Sequence, residues 1–246
     1  MEPGEYQRMF ELEDRYWWFL ARRALVRMLI EQYAAFPPAF GVDLGCGTGG
    51  TLATLSARGG TWVGIDRSGL ALGCCRQRRL PRLVQASAEA VPLASGAADL
   101  LLCLDVLYHR NVPDDRGVLA ECFRIMAPRG TVIITDSALN WLRGPHDEAV
   151  HTRHRYRLGE ISALVEGAGF EIVKRTYANA LIFPLTVAQR LARRLFPGNG
   201  THSDLVEFPR PVALALSAVQ ATERWLLRRM SLPIGTTVVV VARKAA

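Results

Sequence analysis

Short apolar runs alternate with helix-period segments along this chain, and that alternation predicts most of its elements. Runs near 39–44, 61–66, 82–86, 99–104, 130–136, 170–177 and 236–243 read as strands, and 51–57 and 117–126 carry helical spacing between them. Strands that are apolar throughout are buried on both faces. The expected core is therefore a parallel sheet covered by helices on each side, an α/β architecture. Right-handed β–α–β crossovers place a ligand site beyond the carboxyl ends of such strands.

Three regions fall outside this alternation. Residues 5–34 read as one amphipathic helix, apolar at Phe10, Trp17, Trp18, Leu25 and Leu29 and ended by Pro37-Pro38. Residues 137–158 read as a polar connection. Residues 178–234 form a long insertion before the last strand, with apolar stretches at 180–188 and 211–219 and a Pro-Gly-Asn-Gly break at 197–200. The expected organisation is one domain: an N-terminal helical piece (5–36), a core (37–177 with 235–246) and the insertion (178–234). No internal repeat is visible.

The first predicted strand ends in Val42-Asp43-Leu44-Gly45-Cys46-Gly47-Thr48-Gly49-Gly50. Glycines at this spacing let the backbone turn sharply from strand to helix and approach a ligand closer than any Cβ allows. The helix start beyond offers unpaired N–H groups. Gly45, Gly47 and Gly50 also satisfy the G-x-G-x-x-G dinucleotide fingerprint, so the turn alone leaves NAD-type cofactors open. Asp43 favours a cofactor with a cationic amino group, since dinucleotide binders keep an apolar residue there. Asp66 ends the second strand about 20 residues on, where a carboxylate accepts from ribose hydroxyls.

The order of motifs carries a resemblance. V-D-L-G-C-G-T-G-G (42–50), G-I-D-R-S (64–68), S-A-E-A-V-P-L (87–93), D-L-L-L-C-L-D-V-L-Y-H (99–109), A-P-R-G (127–130) and G-A-G-F-E-I-V (167–173) together resemble the class I S-adenosylmethionine (SAM)-dependent methyltransferases of the small-molecule, type 11-like group. E-D-R-Y-W-W-F-L-A-R-R (13–23) looks like a bacterial subgroup. The resemblance implies a Rossmann-like seven-stranded, mostly parallel sheet whose last strand inserts antiparallel beside the sixth. It also implies an N-terminal lid over the cofactor and an insertion that caps the site and selects the acceptor.

For SAM, the resemblance implies backbone approach at Gly45, Gly47 and Gly49 with Cys46 between them, and Asp43 at the methionine end. Asp66, with Arg67 beside it, belongs to the ribose. Ser87, Ala88 and Glu89 lie by the adenine, with Ser87 where the family often has Asp, and Leu104 gives backbone contacts near the amino group. Trp18 is a lid aromatic, and Arg22 or Arg23 reaches the SAM carboxylate. Trp17, Trp18 and Phe19 cannot all face one side of a helix, so part of this set packs elsewhere.

SAM brings its own electrophile, so the protein has to position the acceptor, exclude water and, when needed, remove a proton. His109, beyond the fourth strand, titrates in a range that suits proton removal, or anchors a helix instead. Tyr108 shapes the pocket or packs, and Asp105 contacts the amino group or caps a helix. The segment 151–157 is dense in cationic and switchable groups. It yields His151 and His154 as alternative bases, and Arg153, Arg155 and Tyr156 as contacts to an anionic acceptor; a solvated loop is the other reading.

Composition trims the alternatives. The net charge is +7, but only Lys174 and Lys244 among the 30 basic residues are lysines, which reads as GC-rich coding rather than a nucleic-acid face. The sequence lacks the Asn/Asp-Pro-Pro-Tyr signature of amino-group methylation after Leu104, and a Pro-Cys pair for cytosine; RNA methylation rests on net charge alone. Five cysteines without zinc spacing suggest reduced thiols, and the start Met-Glu-Pro-Gly-Glu carries no export signal, so a cytoplasmic protein without metal is expected. No run reaches the ~20 apolar residues of a membrane span. The 185–196 stripe, apolar at Leu185, Ala188, Leu191, Ala192 and Leu195, either packs on its own domain or lies on anionic lipid. The expected partner is a small-molecule acceptor. The other readings are a SAM-binding subunit without chemistry and an NAD-dependent oxidoreductase.

Overall fold

The computed structural model describes residues 3–195 and 208–246. Seven strands, β1 (Phe40–Leu44), β2 (Thr61–Asp66), β3 (Leu83–Gln85), β4 (Ala98–Leu104), β5 (Met126–Ser137), β6 (Phe170–Ala178) and β7 (Thr237–Lys244), form one sheet in the order β3-β2-β1-β4-β5-β7-β6. All neighbours are parallel except β7, which runs antiparallel between β5 and β6. The strand order reverses at β1, flanked by β2 and β4, so the crevice opens beyond these strand ends. This is the Rossmann-like α/β arrangement the motifs implied.

The pleat separates two cores. Val42, Leu44, Leu101, Cys103 and Ile134 face α5 (Asp115–Ile125) and α7 (Leu158–Gly167). Leu100, Leu102, Ile133 and Val239 face the other way, toward α2 (Trp17–Tyr33), α3 (Gly50–Ser56), α4 (Gly69–Gln77) and Leu227 of α9 (Arg210–Leu227). Asp43 shares the second face, between apolar neighbours, which explains its burial. Trp62 lies flat on Gly41, where a Cβ would come within 2.6 Å of the ring.

Three expectations are corrected. The helix expected over 5–34 is two, α1 (Pro3–Leu12) and α2, because Glu13 and Asp14 turn away to bind groups on the sheet side. The helix expected over 117–126 spans Asp115–Ile125, and β5 begins at Met126, four residues early, because Met126 pairs with Ala98 across a register shift. The polar connection 137–158 contains a 3-10 turn (Asn140–Leu142), α6 (Pro145–Ala149) and fully buried Tyr156. The insertion's first helix, α8, runs Phe183–Leu195, and the break at 197–200 lies outside the described residues.

The N-terminal helices and the insertion meet. Leu12, Tyr16, Trp17 and Phe19 form a third cluster with Ile182, Ala213 and Leu216. Trp17 and Phe19 are buried while Trp18 is only half-buried, as the helical spacing requires. Among the described residues no helix is long and apolar enough to cross a membrane.

Candidate active site

A cavity of about 800 Å³ opens over the carboxyl ends of β1, β2 and β4. Its floor is the glycine turn. Gly45 and Cys46 both donate backbone N–H groups to Ile65 O (2.7 and 3.0 Å), which pins the turn to the end of β2. Gly45 (φ 74°) and Gly47 (φ 56°) take left-handed conformations that disfavour other residues. A Cβ on Gly47 would meet only the Met9 methyl, at 3.3 Å, so the floor there is bare backbone.

Two carboxylates flank the floor. Asp66 accepts from Gly47 N–H (2.9 Å) and Ser68 N–H (2.8 Å), bridging the turn to the start of α4. Burial pushes its pKa up against those bonds. Asp43 is 2% exposed. Desolvation raises its pKa to about 7, opposed by Arg22 and reinforced by Glu13 and Asp66. An apolar strand face thus holds a carboxyl poised to ionise when a cation arrives.

Arg22 reaches in from α2, pairs with Asp105 Oδ2 at 2.8 Å and sits over the Trp18 ring. Its Nε is buried without a partner. Asp105 follows β4 in a left-handed conformation (φ 56°). Behind it, Asp136 is fully buried and accepts from Tyr108 N–H (3.1 Å) and Ser137 N–H (2.8 Å); burial and the Asp105 charge raise its pKa strongly. Cys46, Arg67, Ser87, Ala88 and Leu104 line the same end, with Thr48, Tyr6 and Met9.

The far end is different in character. Tyr16, Trp17, Phe19, Ile182, Leu185 and Leu216 supply apolar walls. Polar groups there come from His109, His151, Thr152, Arg155 and Arg190. Trp17 Nε1 and Thr152 Oγ1 are buried without partners.

Several expected residues do not reach the cavity. Gly49 lies behind the turn, where a Cβ would come within 2.8 Å of Cys75 Sγ and Leu80. Its φ of 83° serves the turn, not ligand approach. Glu89 is exposed and outside the lining. The 151–157 segment is divided by pairing. Arg153 binds Asp115 and Leu107 O, and Tyr156 donates its hydroxyl to Asp115 Oδ2 at 2.7 Å. His154 Nε2 lies 2.8 Å from Glu160 Oε1. These three brace the chain away from the cavity. Arg155 lines it but is 9% exposed, with Nη1 on Asp147 (2.7 Å) and Nε on Ala138 O (2.8 Å), so its charge is already matched. Neither the solvated loop nor a free cationic cluster describes this segment.

His109 and Tyr108 do meet the cavity. His109 Nδ1 accepts from Asn111 N–H (3.0 Å), and burial with cationic neighbours lowers its pKa to about 4. That engaged lone pair and low basicity make it a poor proton acceptor. Burial and the Asp105 charge raise the Tyr108 pKa, keeping the phenol neutral. Among the described residues no group of three or more His, Cys, Asp or Glu is arranged to hold a metal ion.

The sequence reading missed Glu13, Tyr6, Met9 and Asp136. Only Glu13 left a signal, an acidic pair breaking an otherwise apolar helical stripe.

Residues 42–134 match the family described as a methyltransferase domain. A ubiquinone biosynthesis O-methyltransferase of Ralstonia nicotianae is 30% identical over 202 residues, covering 69% of this chain and 82% of that protein. The corresponding protein of Methylococcus capsulatus is 38% identical over 100 residues, spanning 38% of this chain and 41% of its own length. Among solved structures, a SAM-dependent methyltransferase of Thermotoga maritima, titled a possible histamine N-methyltransferase, superposes with a TM-score of 0.60 at 19% identity, covering 98% of this chain and 95% of that one. At that identity the likeness concerns the fold.

Proposed function

Because this chain belongs to the class I SAM-dependent methyltransferases, we propose that it methylates an oxygen of a small amphiphilic acceptor held beneath the N-terminal helices. One observation carries the reading. A single cavity joins a carboxylate-flanked glycine floor to a wall of aromatic and aliphatic side chains from α2, the start of α8, and α9. The names of the two relatives favour oxygen over nitrogen or carbon as the nucleophile.

The residues present fit SAM. The cofactor supplies an electrophilic methyl group on a positively charged sulfur. Asp43 takes its ammonium end and Gly45 and Gly47 give close backbone approach, with Cys46 between them. Asp66 holds the ribose beside Arg67, and Ser87 and Ala88 border the adenine. Leu104 offers its backbone near the amino group. Arg22, with its unpartnered Nε, is the group suited to the carboxylate. A dinucleotide fits less well, because a carboxylate of the chain already stands at the α3 start where a phosphate would bind.

Residues 5–36 act as lid, 37–177 with 235–246 as catalytic core and 178–234 as acceptor cap. Trp17 and Thr152 offer hydrogen bonds to polar atoms of the acceptor, and the aromatic wall excludes water from the transfer. Arg155 and His151 shape the polar corner of that wall. His109, whose Nδ1 already accepts from Asn111 N–H, is poorly suited to act as a strong base, which suits an acceptor that ionises readily, such as a phenol. Incubating the protein with methyl-labelled SAM and phenols of graded apolar tail length tests this. Rising kcat/KM with tail length is expected; equal turnover of tailless acceptors contradicts the amphiphilic reading.

A further inference from the structure

Gly50 has an ordinary φ, so its glycine is not explained by backbone freedom. What it makes room for is Glu13. A Cβ at Gly50 would collide with the Glu13 carboxylate. Glu13 Oε2 accepts from the Thr48 hydroxyl (2.5 Å), Gly50 N–H (3.1 Å) and Arg78 Nη2 (3.2 Å). Arg78 is fixed in turn: its Nε donates to Thr48 O at 2.9 Å and its Nη1 to Asp14 at 2.6 Å. Asp14 also binds Arg23 Nη1 at 3.1 Å. The third glycine of the dinucleotide-like fingerprint therefore admits an anion belonging to the chain itself.

That carboxylate sits at the bend between α1 and α2, and both arms of the bend cover the cavity. Tyr6 and Met9 come from the arm before it, and Trp17, Trp18 and Arg22 from the arm after it. One buried, charge-assisted attachment fixes both arms to the turn that forms the cavity floor.

We propose that Glu13 is a positioning residue for cofactor binding, an internal anion that latches the N-terminal lid onto the glycine turn and is released from Thr48, Gly50 and Arg78 when the cavity opens for cofactor exchange. The inference rests on assigning the cavity floor to SAM. It makes the latch compatible with a phosphate-free cofactor held under a closed lid. It also makes the Thr48–Gly50–Arg78 cradle an acceptor of small carboxylates once Glu13 is removed.

The test is a stopped-flow and calorimetric titration of S-adenosylhomocysteine into the full chain. Glu13→Ala is expected to weaken affinity by about tenfold or more, the scale of a lost charge-assisted hydrogen-bond set, with the loss carried by faster dissociation. Acetate, which can fill the emptied cradle but is not tethered to the α1–α2 bend, should leave the faster dissociation of Glu13→Ala largely uncorrected. Glu13→Gln should fall between, since its amide oxygen still accepts from Thr48 and Gly50. Gly50→Ala, which displaces the carboxylate without removing it, should reproduce the faster dissociation with no acetate rescue, and it serves if Glu13→Ala does not fold. Parent-like dissociation in both variants would overturn the proposal. So would weakening in Glu13→Ala with a parent-like dissociation rate, or full recovery of slow dissociation with acetate, which would mark Glu13 as a charge partner of Arg78 and not a latch. Failure of the parent protein to bind S-adenosylhomocysteine would instead remove the cofactor assignment beneath it.

Discussion

Two buried glutamates fasten the two covers of the cavity, and they do it differently. Glu13 binds a hydroxyl and one backbone N–H of the glycine turn and the guanidinium of Arg78 at the end of α4. Glu223 of α9, 1% exposed, accepts from backbone N–H groups of Asn179 (2.5 Å) and Leu181 (2.8 Å) at the end of β6. Gln220 Nε2 adds a bond to Asn179 Oδ1, and Asn179 Nδ2 reaches Thr237 Oγ1 on the cavity wall. Glu13 meets side chains, the Thr48 hydroxyl and the Arg78 guanidinium, together with one backbone N–H. Glu223 meets fixed backbone at the sheet edge. The first arrangement suits a cover that opens; the second suits one that stays. On the proposed assignment, the cofactor end is gated and the acceptor end scaffolded.

The largest effect that separates the two ends is expected at Asp43. Asp43→Ala should weaken S-adenosylhomocysteine binding by roughly 100-fold, the scale of a lost buried charge-assisted contact, as measured by calorimetry. Changes at the α8–α9 cover should leave that affinity unaltered.

Glu223→Ala tests the scaffold. It strands buried backbone N–H groups at about 1–3 kcal/mol each, so a fall in Tm of about 5–10 °C is expected by scanning calorimetry. Parent-like affinity for S-adenosylhomocysteine in the surviving folded fraction would sharpen the contrast with Glu13. A loss of cofactor affinity matching that of Glu13→Ala would erase it.

A smaller effect follows from protonation of Asp43. Burial raises its pKa to about 7 in the protein. A cationic ligand favours the carboxylate, so binding below that value must expel a proton. Affinity should therefore weaken as pH falls from 7 toward 5, by up to about tenfold per unit. Stability of the ligand-free protein runs the other way. A folded pKa raised above the unfolded one contributes stability that is full at acid pH and lost as pH rises through about 7. Asp43→Asn should accordingly raise Tm more at pH 8 than at pH 5, and a pH-independent change would contradict the assignment.

The smallest effect concerns the acceptor end alone. Trp17→Phe removes the unpartnered indole N–H while keeping an aromatic wall. KM for the acceptor should rise about threefold to tenfold, one neutral hydrogen bond, with KM for SAM unchanged.

The two ends also differ in how far the sequence reveals them. The cofactor end is built by local rules: glycines for φ near +60°, an apolar strand closed by Asp43, and Asp66 at the next strand end. These leave marks within a few residues, so the floor, both carboxylates and the strand alternation were legible. The acceptor end is built by pairing across the chain. Arg153, His154 and Tyr156 look like an exposed cationic patch until Asp115 and Glu160 fold against them. Arg155 is matched by Asp147. At the cofactor end too, the helix break at Glu13 depends on Thr48 and Arg78, at least 35 residues away. Charge partners at such separations leave no periodic trace. Gly49 misled for the opposite reason: it follows the ligand-approach pattern but spends its freedom on the turn behind the floor.

The most direct measurement is a paired calorimetric titration of the purified chain with S-adenosylhomocysteine and with NADH. Saturable one-to-one binding of the first, none of the second, and loss of the first in Asp43→Ala is the predicted result. NADH binding, or no heat from S-adenosylhomocysteine with folded protein, would contradict a methyl-donor site at the end of β1.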